Sequence, residues 1–392
     1  MTTPAATDDP VAALVARVEG FVREHVIPAE RDSRLGPHGP SFDLVAELRE
    51  QARAAKLIAP HIVNGEHLSH RDTARVLRAA GYSPLGPVAL NVMAPDEGNM
   101  FLLHKVANAA QRARYLQPLV AAQVRSAFLM TEPDGGAGSD PQMLQTRAVK
   151  IGDGWQIDGR KWLISGAEGA TFGIVMARTS ESGATMFLVD LDDPAIRIER
   201  VLDTLDTSMP GGHAVMALNG LRVPESRILG ELHQGFRYAQ LRLAPARLTH
   251  CMRWHGAAQR AQDIAVDYAC RRQAFGKTLV EHEGVGFMLA DNQIELQQAE
   301  LMIDWCAGVL DAGQRGTRES SMTKVAVSEA LFRVADRCVQ VLGGLGITRD
   351  TIVEQVFREI RAFRIYDGPS EVHRWSLARR LQRDWTRRSG GT

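Results

Sequence analysis

Near its C-terminal end the chain reads Arg364-Ile365-Tyr366-Asp367-Gly368-Pro369-Ser370-Glu371-Val372-His373-Arg374, a tight turn between an apolar helical run and an arginine-rich tail. Asp367 could serve there as a general base, or could simply form the turn, as Asp before Gly commonly does. Four more clusters could carry chemistry. Residues 130–140 (MTEPDGGAGSD) form a glycine-rich loop whose hydroxyls and bare amides can approach a planar ring or a phosphate; a plain linker reads equally well. Lys161-Trp162-Leu163-Ile164-Ser165-Gly166 sets a hydroxyl beside bulky apolar side chains at the end of a predicted strand, which on its own reads first as core. Arg271-Arg272-Gln273-Ala274-Phe275-Gly276-Lys277 could grip a pyrophosphate, although most such runs are solvated. Gln340-Val341-Leu342-Gly343-Gly344-Leu345-Gly346 is sufficiently explained by helix capping.

Several chemistries are disfavoured. No cluster fits GxGxxG, GxxxxGK[ST] or a nucleophile elbow, which argues against a Rossmann dinucleotide site. Ser139 has no base near it in sequence, and the Cys and His residues show no metal-ligand spacing. The 46 basic and 46 acidic side chains cancel, so a nucleic-acid-coating protein is not expected. Hydrophobic content of 45% and charged content of 23% suit a globular enzyme. Cys251, Cys270, Cys306 and Cys338 have no CxxC spacing and are expected to be small buried apolar residues in a reducing compartment. The opening MTTPAATDDP lacks a basic and an apolar region, and no run approaches 18 apolar residues. A cytoplasmic protein with no membrane span is therefore expected.

The elements that must hold these clusters change period along the chain. At 392 residues, two or three packed units are expected. Residues 1–127 read as helical. Asp9-Pro10 suit a cap and a first helical position, and Val11, Leu14, Val18, Phe21 and Val22 recur at helical spacing until Pro28. Residues 128–235 read as β: Val149 and Ile151 alternate, Gly152-Asp153-Gly154 turns, Trp155 and Ile157 resume, and short apolar runs follow. Residues 236–392 are helical again. Val327, Leu331, Val334, Cys338 and Val341 form one stripe, Val353, Val356, Ile360 and Phe363 another, and Ile294, Leu301, Trp305 and Val309 a third. Successive stripes of this kind predict a helix bundle in which each finds a partner.

Taken in order, TEP with its glycine-rich GSD loop, K-W-x-x-S-G, R-x-A-F-G-K, Q-V-L-G-G-x-G and Y-D-G-P-S-E-V-H-R, on a helical–β–helical background, resemble the acyl-CoA dehydrogenase family. The resemblance spans nearly the whole chain. Ala94-Pro95-Asp96-Glu97-Gly98-Asn99-Met100, Gly211-Gly212-His213 and His250-Cys251-Met252-Arg253 resemble the subgroup containing mammalian family members ten and eleven, which also carries aspartate in the last motif. The implied fold is mostly α with a central β unit: an N-terminal helical domain, a middle β-barrel-like domain and a C-terminal four-helix bundle.

The resemblance also implies roles. Met130 and Thr131 would hydrogen-bond the flavin of FAD, and Ser165 would lie near flavin N5. Ser139 would lie near the pantetheine arm of an acyl-CoA, although the loop carries two extra residues before it. Leu163 replaces the usual aromatic side chain, so flavin shielding would differ. Arg272 and Phe275 would reach the dinucleotide part of FAD in a neighbouring subunit, with Gln340, Gly343 and Gly344 on its other side, giving a homodimer or homotetramer. Ala274 replaces a common Thr, removing one hydrogen bond. Asp367 matches the catalytic carboxylate, glutamate in most members, and an apolar pocket would raise its pKa. A rival base position preceding Arg247 holds Ala246. Arg247 and Gly368 would help to seat the turn and substrate. The implied activity is α,β-dehydrogenation of an acyl-CoA, with an electron-transferring flavoprotein as acceptor. A nitroalkane oxidase on the same fold, and a DNA-associated flavoprotein suggested by the arginines from 374 to 388, are the alternatives.

Overall fold

The computed structural model describes residues 9–389; residues 1–8, which include most of the MTTPAATDDP stretch, and residues 390–392 lie outside the described residues. Four early helices are α1 (Pro10–Phe21), α2 (Phe42–Ala54), α3 (His70–Ala80) and α4 (Asp96–Val106). The expected cap at Asp9 forms, and a second is found at Ser69. Asp9 accepts the Val11 N–H at 3.0 Å, and Ser69 accepts the Asp72 N–H at 3.0 Å ahead of α3. α1 stops at Phe21, and a wider and then a tighter turn carry the chain through Pro28 to Arg31.

Eight strands follow: β1 (Ser126–Leu129), β2 (Arg147–Ile151), β3 (Gly154–Ser165), β4 (Phe172–Arg178), β5 (Ala184–Asp190), β6 (Ile196–Leu202), β7 (His213–Pro224) and β8 (Ile228–Leu229). They form one sheet in the order β6-β7-β3-β2-β4-β5-β8, with β1 parallel to β4. Gly152-Asp153 closes the β2–β3 hairpin at the expected place. Along β4 and β5 almost every residue is buried, so neither shows the alternation of a half-exposed strand.

The chain ends in α5 (Gly235–Arg271), α6 (Glu283–Asp311), α7 (Thr317–Leu342), α8 (Val353–Phe363) and α9 (Ser370–Ser389). Helices α5, α6 and α7 pack mutually, and α8 and α9 lie against α7. A single apolar core joins the early helices to this bundle, from Val18 and Phe21 through Leu248 to Phe363. Among the described residues no helix is long and apolar enough to cross a membrane.

The stripes on α7 and α8 are buried as expected. The third is not. On α6 it is Leu289, Leu296, Ala299, Ile303 and Cys306 that face inward, while Ile294, Leu301 and Trp305 are exposed in line with Phe287. Periodicity located an apolar face, but the smaller residues beside it make the close contacts with α5 and α7. Cys270 also departs from expectation. It is exposed at the end of α5, whereas the other three cysteines are buried.

Helices α3 and α5 touch backbone to backbone. A Cβ on Gly81, just beyond α3, would lie 2.1 Å from the Arg253 carbonyl oxygen, and one on Gly256 would lie 2.1 Å from that of Arg78. Gly256→Ala is therefore expected to lower stability by roughly 1–3 kcal/mol, the usual cost of overpacking, read as an earlier denaturation midpoint. An unchanged midpoint would show that the crossing can part without cost.

Candidate active site

The turn between α8 and α9 is built around one carboxylate. Asp367 adopts φ +54°, a left-handed conformation that Asp tolerates better than most residues, and Gly368 follows at φ +102°. A side chain at Gly368 is excluded, because its Cβ would lie 2.7 Å from His373 Nε2. The turn's carbonyls are tied to the bundle. Arg247 Nε donates to the Asp367 carbonyl at 2.9 Å, His373 Nε2 donates to it at 3.2 Å, and Lys324 Nζ donates to the Gly368 carbonyl at 2.8 Å. The Asp367 N–H has no protein acceptor among the described residues.

The Asp367 carboxylate itself is left open. Oδ2 is buried without a hydrogen-bond partner, and its nearest ionisable neighbour is His250 Nε2 at 3.5 Å. Burial would raise the acid's pKa. His250, then Arg242, Arg247 and Lys324, more than offset that and hold it below the usual carboxylate value. The rise expected from an apolar pocket is thus corrected: positive charge outweighs desolvation here. Burial and the Arg253 guanidinium push His250 down to about 3, so it is a neutral ring at neutral pH. Lys324, fully buried, is pushed down to about 8 by burial, opposed by Cys251 and Asp367.

His250 is oriented from behind. Arg253 can only donate, so His250 Nδ1 accepts from it at 3.1 Å and Nε2 carries the proton toward Asp367. Arg253 in turn donates to the Val92 carbonyl at 2.9 Å and approaches Glu97 Oε2 at 3.5 Å. Arg242 is locked by Asn99 Oδ1 at 2.9 Å and lies over the Phe128 ring.

The glycine-rich loop is anchored by Glu132. Its carboxylate accepts the N–H groups of Ala137, Gln145 and Thr146 at 3.2, 2.6 and 2.9 Å, and Lys161 Nζ at 2.9 Å in a fully buried ion pair. Thr131 ends up beside β3, its carbonyl accepting the Trp162 N–H at 2.9 Å, and its own N–H and hydroxyl have no protein partner among the described residues. Met130 is half-buried beside it, its carbonyl accepting from Lys161 at 3.1 Å. A bulge sets the end of β3: Trp162 and Leu163 together oppose Val215, and Leu163 takes φ +55°. Both side chains are thereby left partly exposed, ahead of Ser165.

Ser165 faces His213 across the β3–β7 pair, its Oγ 2.8 Å from Nδ1, and His213 Nε2 lies 2.9 Å from Asp206 Oδ2. The Asp206 loop is pinned to α8, where Glu359 accepts the Thr207 N–H at 2.6 Å and the Ser208 hydroxyl at 2.8 Å. Met130, Thr131 and Ser165 are so connected to the helix that delivers Asp367. Ser139 is exposed farther along the loop and makes none of these contacts.

The other candidates lie elsewhere. Arg247 and Arg271 are both on α5, 24 residues apart, hence separated by about 36 Å. Arg272 follows, and Phe275, 96% exposed, tips a small hairpin beyond it. Gln340, Gly343 and Gly344 are exposed at the end of α7. Arg242, Lys324, His250, His213 and Asp206 were absent from the candidates read off the sequence. No local motif marks them, although His213 and His250 fall in stretches that carried the resemblance.

Family models for the acyl-CoA dehydrogenase middle domain and C-terminal domain match residues 127–213 and 233–382. The chain belongs to the acyl-CoA dehydrogenase family. A Mycobacterium tuberculosis relative, FadE2, provisionally designated an acyl-CoA dehydrogenase, is 36% identical over 381 residues and 93% of each chain is covered. Acyl-CoA dehydrogenase family member 11 of Gallus gallus is 35% identical over 93% of this chain but only 50% of its own length, so the chain spans about half of that relative. Among solved structures, a Mycobacterium abscessus protein provisionally designated an acyl-CoA dehydrogenase superposes with a TM-score of 0.88 at 33% identity, covering 97% of this chain and all of its own. Butyryl-CoA dehydrogenase from Megasphaera elsdenii shares the fold, with a TM-score of 0.84 at 24% identity, covering 97% and 100%.

Glu359 gives the site a pH signature. Burial and the nearby Asp206 push it up to about 7 from an ordinary 4.5. A folded value above the unfolded one contributes stability in full below about pH 4.5, lost as pH rises through about 7. The melting temperature of the native protein relative to Glu359→Gln should therefore fall from pH 4.5 to above 7; a constant difference would show that Glu359 is ionised throughout.

Proposed function

We propose that the protein is an FAD-dependent acyl-CoA dehydrogenase in which Asp367 removes the α-proton of an acyl-CoA thioester. The observation that carries this is the unpartnered Asp367 Oδ2 beside three cationic side chains, whereas Glu371 of the same motif points to solvent and His373 is spent on the Asp367 carbonyl. Arg247, His373 and Lys324 fix the turn's backbone, so the carboxylate needs no reorganisation to meet substrate. The free Asp367 N–H is the natural donor to the thioester oxygen, where charge develops as the α-proton leaves. His250 Nε2–H faces the same carboxylate at 3.5 Å. Ala246 offers no competing acid.

The residues present fit FAD. Thr131 presents an unpartnered N–H and hydroxyl beside Met130, with Trp162 and Leu163 exposed as a flat apolar rim and Ser165 at its end. When bound, the flavin supplies the acceptor for the β-hydride, so that loss of the α-proton to Asp367 leaves a trans-2-enoyl-CoA. Ser139 and Gly368 would border the acyl-CoA. Arg272, Phe275, Gln340, Gly343 and Gly344 would hold the dinucleotide part of the cofactor of a second copy, a reading that the separation along α5 supports. The nearly bare Phe275 and the exposed apolar line on α6 support such an assembly, a homodimer or homotetramer. Electron-transferring flavoprotein would collect the electrons, and the domains would divide near residues 127 and 235.

Asp367→Asn is expected to retain FAD and fold while slowing anaerobic bleaching of the flavin by acyl-CoA by a factor on the order of 10²–10⁴. Bleaching at the native rate would remove Asp367 as the base, and oxygen-linked turnover of a nitroalkane without acyl-CoA bleaching would favour the oxidase reading. Arg272→Ala should purify with reduced flavin content or a smaller assembly, measured by absorbance and light scattering; unchanged values would take that side chain out of the cofactor site.

A further inference from the structure

The Ser165–His213–Asp206 line is a hydrogen-bond chain whose polarity can be worked out from its far end. Burial would raise the Asp206 carboxyl, but hydrogen bonds, first that with His213 and also that with Thr204, help to hold it below the usual carboxylate value. An ionised carboxylate can only accept. His213 Nε2, 2.9 Å away, must therefore be the donor. In the neutral imidazole that leaves Nδ1 with a lone pair and no proton, so Ser165 must donate its hydroxyl hydrogen to Nδ1 across 2.8 Å. Ser165 has only one proton to give. Toward anything else it is an acceptor.

The arrangement is built in, not incidental. Ser165 and His213 are register partners on adjacent strands, so their side chains leave the sheet on one face. The Asp206 loop is fixed to α8 by Glu359 on two bonds and by Arg358, whose Nη1 donates to the Leu205 carbonyl at 2.7 Å. The same three residue types make a hydrolytic triad elsewhere, but that reading fails here. The Gly166 N–H, the nearest candidate for an oxyanion donor, is already used by the Gly212 carbonyl at 2.9 Å.

We propose that Asp206 and His213 are positioning residues that turn Ser165 Oγ into a pure acceptor at the flavin edge, so that the site favours the reduced cofactor. This rests on the FAD reading above, in which Ser165 lies near N5. Oxidised N5 offers a lone pair and wants a donor; reduced N5 carries a hydrogen and wants an acceptor. A serine whose proton is committed to His213 serves only the second state. Bound FAD is thereby made the stronger oxidant, which is what removal of a hydride from an unactivated β-carbon demands.

The test is the midpoint potential of the FAD-loaded protein, read by equilibration with a reference dye at about pH 8.5, above the ordinary imidazole range. Ser165→Ala removes the acceptor and should shift the potential negative. His213→Ala leaves the hydroxyl but frees its proton for oxidised N5, so it should shift the potential further negative than Ser165→Ala. The double variant should return to the Ser165→Ala value, an ordering that loss of packing alone would not produce. Asp206→Ala lies in a loop and tests the same point should His213→Ala not fold; it should also shift the potential negative, while Ser165→Thr should stay near the native value. A native potential in Asp206→Ala with full FAD content would overturn the proposal, as would a His213→Ala value no more negative than that of Ser165→Ala. An unshifted Ser165→Ala, or native protein that does not retain FAD, would instead defeat the flavin reading on which it rests.

Discussion

The placement of one carboxylate among cations from two different helices governs the rest of this structure. A partly buried carboxylate is tolerated only where nearby positive charge replaces its lost hydration. Arg242 and Arg247 come from α5, Lys324 from α7, and Asp367 from the turn after α8. Correct docking of all three helices is thus a condition of charge balance, and it is enforced by shape at the glycine crossing of α3 with α5 and by the apolar core that runs through both helical parts. Arg242 and Arg253 extend the network to Asn99 and Glu97 on α4. Removing one member of such a set strands its partners, which commonly costs 3–5 kcal/mol.

The same balance has a kinetic side. Cations that keep Asp367 ionised also make it a weaker base than a carboxylate in an apolar hole. Its orphaned Oδ2 partly answers this, since no donor has to be broken away before it can take a proton. In the proposed reaction, seating an acyl chain over the turn displaces water from the carboxylate and strengthens it at the moment it is needed. Neutral His250 contributes direction rather than charge. A protonated ring in its place would bind the carboxylate too firmly to leave it reactive.

Much of the architecture was legible because it is local. The change from period 3.6 to period 2 and back, the cap at Asp9, and the Gly152-Asp153 turn are short-range signals with short-range causes. The Asp367 turn and the loop around Glu132 were visible as motifs. The cage was not, since Arg242, Lys324 and Asp367 span more than a hundred residues and are united only by helix packing. The lowered pKa of Asp367 departs from expectation for that reason: the cations beside it in space come from Arg242, Arg247 and Lys324, far away in sequence. The α6 stripe shows a second limit. Spacing identifies a face, yet which of two adjacent faces enters the core depends on the side-chain sizes across the interface.

That outward stripe has a consequence for handling the protein. Phe287, Ile294 and Leu301 recur every seven residues on the surface of α6, with Trp305 one turn on. A lone protomer would carry this unsheltered ridge, together with bare Phe275, into solvent. In the proposed assembly its population obeys mass action: dilution would expose sticky surface and favour loss by coagulation, whereas a high concentration would shelter it. Shelf life of the purified material should accordingly improve, not worsen, as it is concentrated.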